Sequence, residues 1–390
     1  MLSVKLKIIT IKTTLNLLLL VFAVLSCSGK KNNLNNKVSL YATDKMKSFN
    51  LDSDTKYNAF YLYPFSDSVG KEYLSFLNYS SNQVLFYDLK SCNFLFKINM
   101  PAEGPDGIVQ PSGYYIKDLD NIYLTSYAYS GLIQVDTASH IIKRIPYGKT
   151  DSGFKFLPSY VLSSHPYTIP YSIGGRIHLM PPLVERFCPA DKTPLCVSID
   201  TVSSQFVASE ITYSDVLSEE ELAANDTRCS RVFDGKTFIY SFYVDEDIII
   251  ADKDHKEFRR IKSASQYIKS PVEKQKQGVK GPQSNLEVAR YGDLIYDKYR
   301  KVYYRFAYPQ VELDDKINWR GKAVYGRKKF SVIILDEQFN RLGETLFPES
   351  IYNSYVFFVN KDGLYISRDY QVGIGNQSED FMTFELFELK

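Results

Sequence analysis

The chain has 390 residues and a net charge of +2, but six of its 47 basic residues and none of its acids lie in the first 39, so residues 40–390 carry −4. A mildly acidic stretch of that length can bury a large core, and it lacks the basic surplus that nucleic-acid partners require. With 31 Tyr and 25 Phe, the chain favours strands over helices.

At the N-terminus, Lys5, Lys7 and Lys12 precede an apolar run, Leu15 to Leu25, broken only by Asn16. The run is too short to span a bilayer comfortably and reads as a secretory signal over residues 1–26. Val24-Leu25-Ser26-Cys27 resembles the bacterial lipobox, in which a signal peptidase cuts before a cysteine that is then acylated. Leu25 is bulkier than the usual residue at its position. Acyl chains on Cys27 would hold the protein on a membrane, since each buried methylene contributes ~0.8 kcal/mol. The polar stretch SGKKNNLNNKVS has no core-forming pattern, so residues 27–39 form the anchor and a flexible tether.

From residue 40 the sequence repeats. YLSFLNYSSNQVLFYDLKSCNFLFKI (73–98) reads strand, loop, strand ending in Asp, tight turn, strand. The order recurs over 122–145, 176–209, 237–261, 302–345 and 364–390, and each copy follows another short strand and a polar turn. Four strands per copy, at intervals of roughly 50–65 residues, point to an all-β fold, a β-propeller over residues 40–390. Six blades are counted. The last lacks its outer strand, which KVSLYATDKMKSFNL (37–51) can supply, removing an exposed edge. Seven blades is the alternative, if 262–290 hides another. Two inserts look non-β. SEEELAAN (218–225) starts with the Ser218/Glu221 capping box, and the Lys- and Gln-rich 262–288 reads as an exposed excursion.

The stretches ARYGDLIYDKYRKVYYRFAYP (289–309), FSVIILDEQFNRLGET (330–345) and AEGPDGI (102–108) resemble the Bacteroidetes lipoproteins grouped as domain of unknown function 4221. The resemblance spans nearly all of the mature chain. It implies a propeller fold and an envelope location, and it implies no activity. Lipoproteins of that phylum exported to the cell surface carry acids just after the cysteine, whereas Lys30 and Lys31 stand there here. The resemblance therefore implies an outer-membrane protein facing the periplasm. The phylum also O-glycosylates Asp-Ser/Thr followed by a small or branched apolar residue. Asp67-Ser68-Val69, Asp136-Thr137-Ala138 and Asp200-Thr201-Val202 are similar, making Ser68, Thr137 and Thr201 candidate acceptors. Turn chemistry alone also accounts for such pairs.

The first-to-second and third-to-fourth strand turns are short and share one face; the other loops, which are long, fall on the opposite face. Functional residues concentrate on loops held by a rigid scaffold, so the long-loop face is the expected binding face for a small ligand or a partner protein, a glycan or peptide among the options. Arg290, Tyr304 and Arg305 offer guanidinium and ring chemistry for a ligand, as do Trp319 and Arg320 in the 307–329 loop. Cys188 and Cys196 flank a loop that a disulfide could close. GxSxG and HExxH are missing, Gly148-Lys149-Thr150 and Gly235-Lys236-Thr237 lack the first P-loop glycine, and neither the histidines nor the turn acids have metal spacing. No cofactor or metal is expected. A glycan hydrolase or lyase, the alternative to a binding protein, would need acids such as Asp234, Asp293 or Asp369 to converge on the channel. The anchor reading is tested by Cys27→Ser, which should move the protein from the membrane pellet to the soluble fraction of fractionated cells; a variant that stays in the pellet would refute it.

Overall fold

The computed structural model describes residues 37–55, 62–148, 167–181, 183, 189–223, 226, 228–269, 284–313, 325–370 and 380–390. The short aromatic runs become strands. β1 (Leu40–Asn50) comes first, and blade 1 follows as β2 (Tyr63–Ser66), β3 (Glu72–Asn78), β4 (Gln83–Asp88) and β5 (Phe94–Asn99). Blade 2 is β6 (Pro111–Asp118), β7 (Asn121–Ser126), β8 (Tyr129–Val135) and β9 (Ile141–Pro146). Blade 3, the smallest, is β10 (Tyr171–Ile173), β11 (Arg176–Leu179), β12 (Val197–Asp200) and β13 (Phe206–Ala208). Blade 4 is β14 (Cys229–Phe233), β15 (Thr237–Phe242), β16 (Asp247–Asp252) and β17 (Phe258–Lys262). Blade 5 is β18 (Arg290–Asp297), β19 (Val302–Tyr308), β20 (Ser331–Asp336) and β21 (Arg341–Leu346). The last blade holds β22 (Asn353–Val359), β23 (Leu364–Ser367) and β24 (Phe381–Leu389), with β1 as its fourth strand. Six antiparallel four-stranded sheets form a six-bladed propeller. β14 packs on β18, and β22 packs on both β18 and β2, so the first strand of each blade lines the central channel.

The six-blade count and the N-terminal closing strand are as the sequence predicts. Residues 263–289 add no seventh blade: among the described residues they contribute only a helical turn, α3 below. Leu40 pairs with Leu389 and Asn50 with Phe381, with a register shift between Ala42 and Met46. Ser39 and Lys390 exchange two backbone hydrogen bonds of 2.7 and 2.9 Å. Phe49 is fully buried, edge-on to Tyr87 at 5.6 Å and to Phe384 at 5.9 Å.

One turn chemistry recurs on one face. Asp88, Asp136, Asp200, Asp252 and Asp336 close the third strands, and each carboxylate accepts backbone N–H groups from its own turn. Such Asx turns spare the backbone unsatisfied donors. The chain then passes through a left-handed residue, in turn Cys92, Ser139, Ser204, His255 and Phe339. Asp67, Asp118, Asp234, Asp297 and Asn360 do the same after the first strands. Ser68, Thr137 and Thr201 all sit in these turns, Ser68 exposed and the two threonines half-buried.

Helix is confined to single turns: α1 (Tyr213–Val216), α2 (Glu219–Leu222) and α3 (Ser284–Glu287). The expected capping box starts α2, with Ser218 Oγ accepting from the Glu221 N–H at 3.3 Å and Glu221 Oε2 accepting from the Ser218 N–H at 2.7 Å. The expected exposed excursion needs correction at its start. Ser263, Ser265 and Ile268 are buried, and Ser265 Oγ donates to Glu344 at 2.5 Å while its N–H donates to Tyr291 Oη at 3.1 Å. This stretch seals blade 5 against blade 4; residues 270–283 lie outside the described residues.

Phe49→Ala should cost about 3–5 kcal/mol, as for other large-to-small core changes. Urea unfolding should show a lower midpoint with the slope unchanged. A midpoint near wild type would mean that β1 does not close the ring.

Candidate functional site

Long connections leave from the end of the blades opposite the Asx turns. Residues 100–110, 147–170, 209–228 and 263–289 lead into inner strands, and 180–196, 309–330 and 368–380 join second to third strands. Three connections on this face are nonetheless tight: 79–82, 127–128 and 243–246. Tyr167, just before blade 3, reaches into the channel. The Tyr167 N–H donates to Asp293 Oδ1 at 2.9 Å, and its carbonyl accepts from the Arg231 N–H at 2.7 Å and Ser230 Oγ at 3.0 Å. Its ring packs on three separate hydrophobic clusters and lies 6.5 Å from Phe357. Tyr167 thus fills the middle of the channel and caps a cavity of 270 Å³ that faces the short turns.

On the long-loop side of Tyr167, charged and aromatic groups converge from three connections and β18. Asp226 takes both forks of Arg228, Nε on Oδ1 at 2.8 Å and Nη2 on Oδ2 at 2.9 Å, and also binds Arg290 through Oδ2. Burial opposes ionisation of Asp226, but the charges of Arg228 and Arg290 outweigh it and hold the carboxyl at about 2. Arg228 lies over the Tyr243 ring at 4.8 Å. Arg327 donates through Nη2 to the Val288 carbonyl at 2.7 Å and lies over Tyr308 at 5.2 Å. Burial, reinforced by the like charges of Arg290 and Arg228, pushes Arg327 down to about 9, and burial also lowers Arg290. Tyr243 Oη donates to Asp293 Oδ1 at 2.8 Å; burial, and then the Asp293 charge, raises Tyr243 and Tyr308.

Two glycines make this assembly possible. A Cβ on Gly292 would strike the Tyr308 ring, so only glycine lets that ring lie across β18. Gly326 has φ +88°, and a Cβ there would meet Asn353 Oδ1 and the Ser354 nitrogen at 2.7 Å. This turn delivers Arg327, whose N–H donates to Ser354 Oγ at 3.1 Å. Left-handed backbone at such close quarters excludes side chains.

Of the residues expected to bind ligand, Arg290 belongs to this cluster. Tyr304 and Arg305 are corrected. Both are fully buried; Tyr304 Oη bonds Asp297 at 3.2 Å. Arg305 engages all five of its N–H donors, on Ser241 Oγ and on the carbonyls of Asp245, Glu246, Asp247 and Ser263. Arg305 ties blade 5 to blade 4 and has no donor left for a ligand. Trp319 and Arg320 lie outside the described residues. Sequence reasoning missed Asp226, Arg228, Arg327 and Tyr243, which share no motif. The available signal was their placement beside the ends of inner strands and long connections.

The pattern of the family described as "Domain of unknown function (DUF4221)" matches residues 37–346. The chain belongs to that family. It is similar to the crystal structure of a DUF4221 family member from Bacteroides vulgatus, at 25% identity and TM-score 0.77, covering 91% of this chain and 99% of that one. It also shares its fold with a Bacteroides fragilis protein described as exported, at 12% identity and TM-score 0.53, covering 90% and 97%. None of the curated proteins compared matches it.

This DUF4221 propeller has a second concavity, a 650 Å³ groove where the short strands of blade 3 leave room beside blade 4. His178, Cys196 and His255 line it. Cys196 is a free, buried thiol, with Sγ 3.8 Å from His178 Nδ1 and 3.7 Å from Arg231 Nη1. It therefore does not support the expected bridge, whose other half, Cys188, lies outside the described residues. Burial pushes the Cys196 thiol up to about 11, so it stays protonated and is a poor nucleophile. Among the described residues no group of three His, Cys, Asp or Glu is placed to hold a metal. Of the acids considered for catalysis, Asp293 accepts from the Tyr167 N–H and Tyr243 Oη inside the channel, and Asp234 and Asp369 stand at opposite ends of the blades. Asp234 caps a tight turn on the far face, accepting from the Lys236 and Thr237 N–H groups and Tyr303 Oη, whereas Asp369 follows β23 on the long-loop face.

The buried groups fix a pH profile for this family member. Burial lowers His178 to about 4 and His255 to about 3, so the unfolded chain binds protons first and stability falls as pH drops below about 6.5. Asp226, depressed in the fold, contributes stability above pH ~3.8 that is lost as pH falls towards 2, about 2 kcal/mol in all. Burial raises the Asp245 carboxyl to about 7, an opposite contribution that grows as pH falls from 7 towards 3.8, so the two stages are read from urea midpoints of variants against wild type across pH 7 to 2. His255→Gln should flatten the first stage and Asp226→Asn the second. Unchanged slopes in both variants would contradict the assignment.

Proposed function

We propose that this chain is a lipid-anchored envelope protein whose propeller binds a ligand or partner protein at the long-loop mouth of its channel. One observation carries the reading: Arg228, Arg290, Arg327, Tyr243 and Tyr308 converge at the end of the blades from which the long connections leave, while the opposite face is built of tight Asx turns. Perturbed ionisable groups gathered at one mouth of a rigid scaffold are candidates for a functional site. Cys27 supplies the anchor in this reading, and the exported Bacteroides fragilis protein of the same fold accords with an envelope location. Trp319 and Arg320, in the 309–330 connection, are further candidates for contact. Glycans on Ser68, Thr137 and Thr201 would lie on the far face and leave the mouth open. A glycan hydrolase or lyase draws no support from Asp234 and Asp369, which stand at opposite ends of the blades.

The test is a thermal-shift screen of the mature chain against oligosaccharides and peptides. A ligand of the native state stabilises it by about 2.7 kcal/mol at one hundred times its dissociation constant. The expected result is a shift that Arg228→Ala diminishes and Ser68→Ala leaves intact. A shift insensitive to Arg228 but abolished by changes among the Asx turns would move binding to the other face and end this reading.

A further inference from the structure

We infer that the cavity capped by Tyr167, at the Asx-turn end of the channel, binds a small zwitterion, a free α-amino acid. The site is separate from the long-loop mouth and does not rest on the binding reading above. Phe65 and Glu72 of blade 1, Tyr296, Lys298 and Tyr299 of blade 5, and Tyr167 itself line it. Glu72 and Lys298 are the charged residues of its wall. They carry opposite signs yet do not pair, and neither has another ion-pair partner among the described residues. The Glu72 carboxylate accepts from the Tyr299 phenol, and the Lys298 ammonium lies over the ring of the same tyrosine at 5.2 Å. One side chain therefore touches both charges. The neighbouring Arg300, by contrast, is spent on Asp297 and on two carbonyls of the last blade.

The chemistry of the wall sets the ligand class. A cation would satisfy Glu72 and leave Lys298 unmet, and an anion would do the reverse. A ligand with an ammonium and a carboxylate on one carbon meets both through charge-assisted hydrogen bonds, which strengthen where the cavity excludes water. The volume, 270 Å³, lies just below the ~300 Å³ of ordinary small-molecule sites. It admits one amino acid and excludes an oligosaccharide or a peptide chain. Phe65, Tyr296 and Tyr167 add ring surface that suits an apolar or aromatic side chain. Glu72 is half-buried and Lys298 exposed, which orients the ligand with its ammonium inward.

The test is calorimetric titration of the full mature chain with the common free amino acids, leucine and phenylalanine first, and with the N-acetyl and amide forms of those that bind. At least one free amino acid should bind at millimolar concentration or below. Acetylation of its amine and amidation of its carboxylate should each weaken it about tenfold or more, the worth of one charged hydrogen bond. Glu72→Gln and Lys298→Met should weaken it by a similar factor, and Arg228→Gln, at the far mouth, should leave it unchanged. Melting temperatures report whether each variant keeps its fold, and Lys298→Met, at an exposed position, keeps the test open if Glu72→Gln unfolds. If no free amino acid binds, or if binding survives both blocking groups, the zwitterion site is overturned. Binding that Arg228→Gln abolishes and Lys298→Met leaves intact also overturns it, and places the ligand at the long-loop mouth.

Discussion

Ser39 and Lys390 exchange backbone hydrogen bonds, and from that clasp β1 and β24 run antiparallel through Asn50 and Phe381. A propeller is a ring of sheets packed on one another largely through side chains, and without β1 the chain does not join β22–β24 to blade 1. The β1–β24 ladder supplies that link in hydrogen bonds. It also hides the edge of β24, which would otherwise present an unpaired ladder to other chains. The Leu40 N–H reaches Thr345 Oγ1 of blade 5 at 2.8 Å, and Phe49 reaches Tyr87 of blade 1. One strand therefore pins three consecutive blades. The circumference of the channel follows from this closure, as does the meeting of loop residues that lie a hundred positions apart.

Between blades, a second device recurs: a cation crosses the gap to backbone carbonyls. Lys47 of the last blade donates to the Leu89 carbonyl of blade 1 at 2.8 Å. Lys143 of blade 2 reaches Thr201 and Val202 of blade 3. Arg231 of blade 4 reaches His178 of blade 3 at 3.0 Å, Arg305 of blade 5 reaches four carbonyls and Ser241 beside blade 4, and Arg300 reaches Asn360 and Lys361 of the last blade. Hydrogen bonds from charged donors contribute about 1.5–3 kcal/mol each, more than neutral ones. Carbonyls at strand ends have lone pairs to spare, so these ties need no acid on the facing blade.

The same device explains what the sequence could reveal. The blades were legible because each is written locally: an aromatic strand, an Asp, a three- or four-residue turn, another strand. Asp252 and Asp336 cap turns by bonds to residues two to five positions on, and such short-range chemistry survives in a linear reading. Closure by residues 37–51 was legible because the last copy is a strand short. The cluster at the mouth was not. Asp226 and Arg228, Arg290 and Arg327 stand in three separate connections or strand starts, and only the ring brings them together. Arg305 and Arg290 lie fifteen positions apart in the stretch richest in Tyr and Arg, and composition treats them alike. Strand position separates them, because Arg305 projects from the middle of β19 into the interface with blade 4, whereas Arg290 opens β18 at the long-loop end.

Burial alone does not describe an arginine's surroundings, and the saturation of its donors completes the account. Arg305 is as deeply buried as any residue in the chain, yet its five donors all meet acceptors and its guanidinium rests on Tyr291 at 4.0 Å. Its charge is spread over carbonyl dipoles that no ligand can displace without opening two blades. Arg228 holds Asp226 with one face of its fork and keeps more than a third of its side chain in solvent. Its partner carboxylate is shared with Arg290, so the attraction that anchors each guanidinium is divided. The ring thus holds buried charge in two ways: at its interfaces each guanidinium meets carbonyls of the facing blade, and at the mouth Asp226 is shared between Arg228 and Arg290.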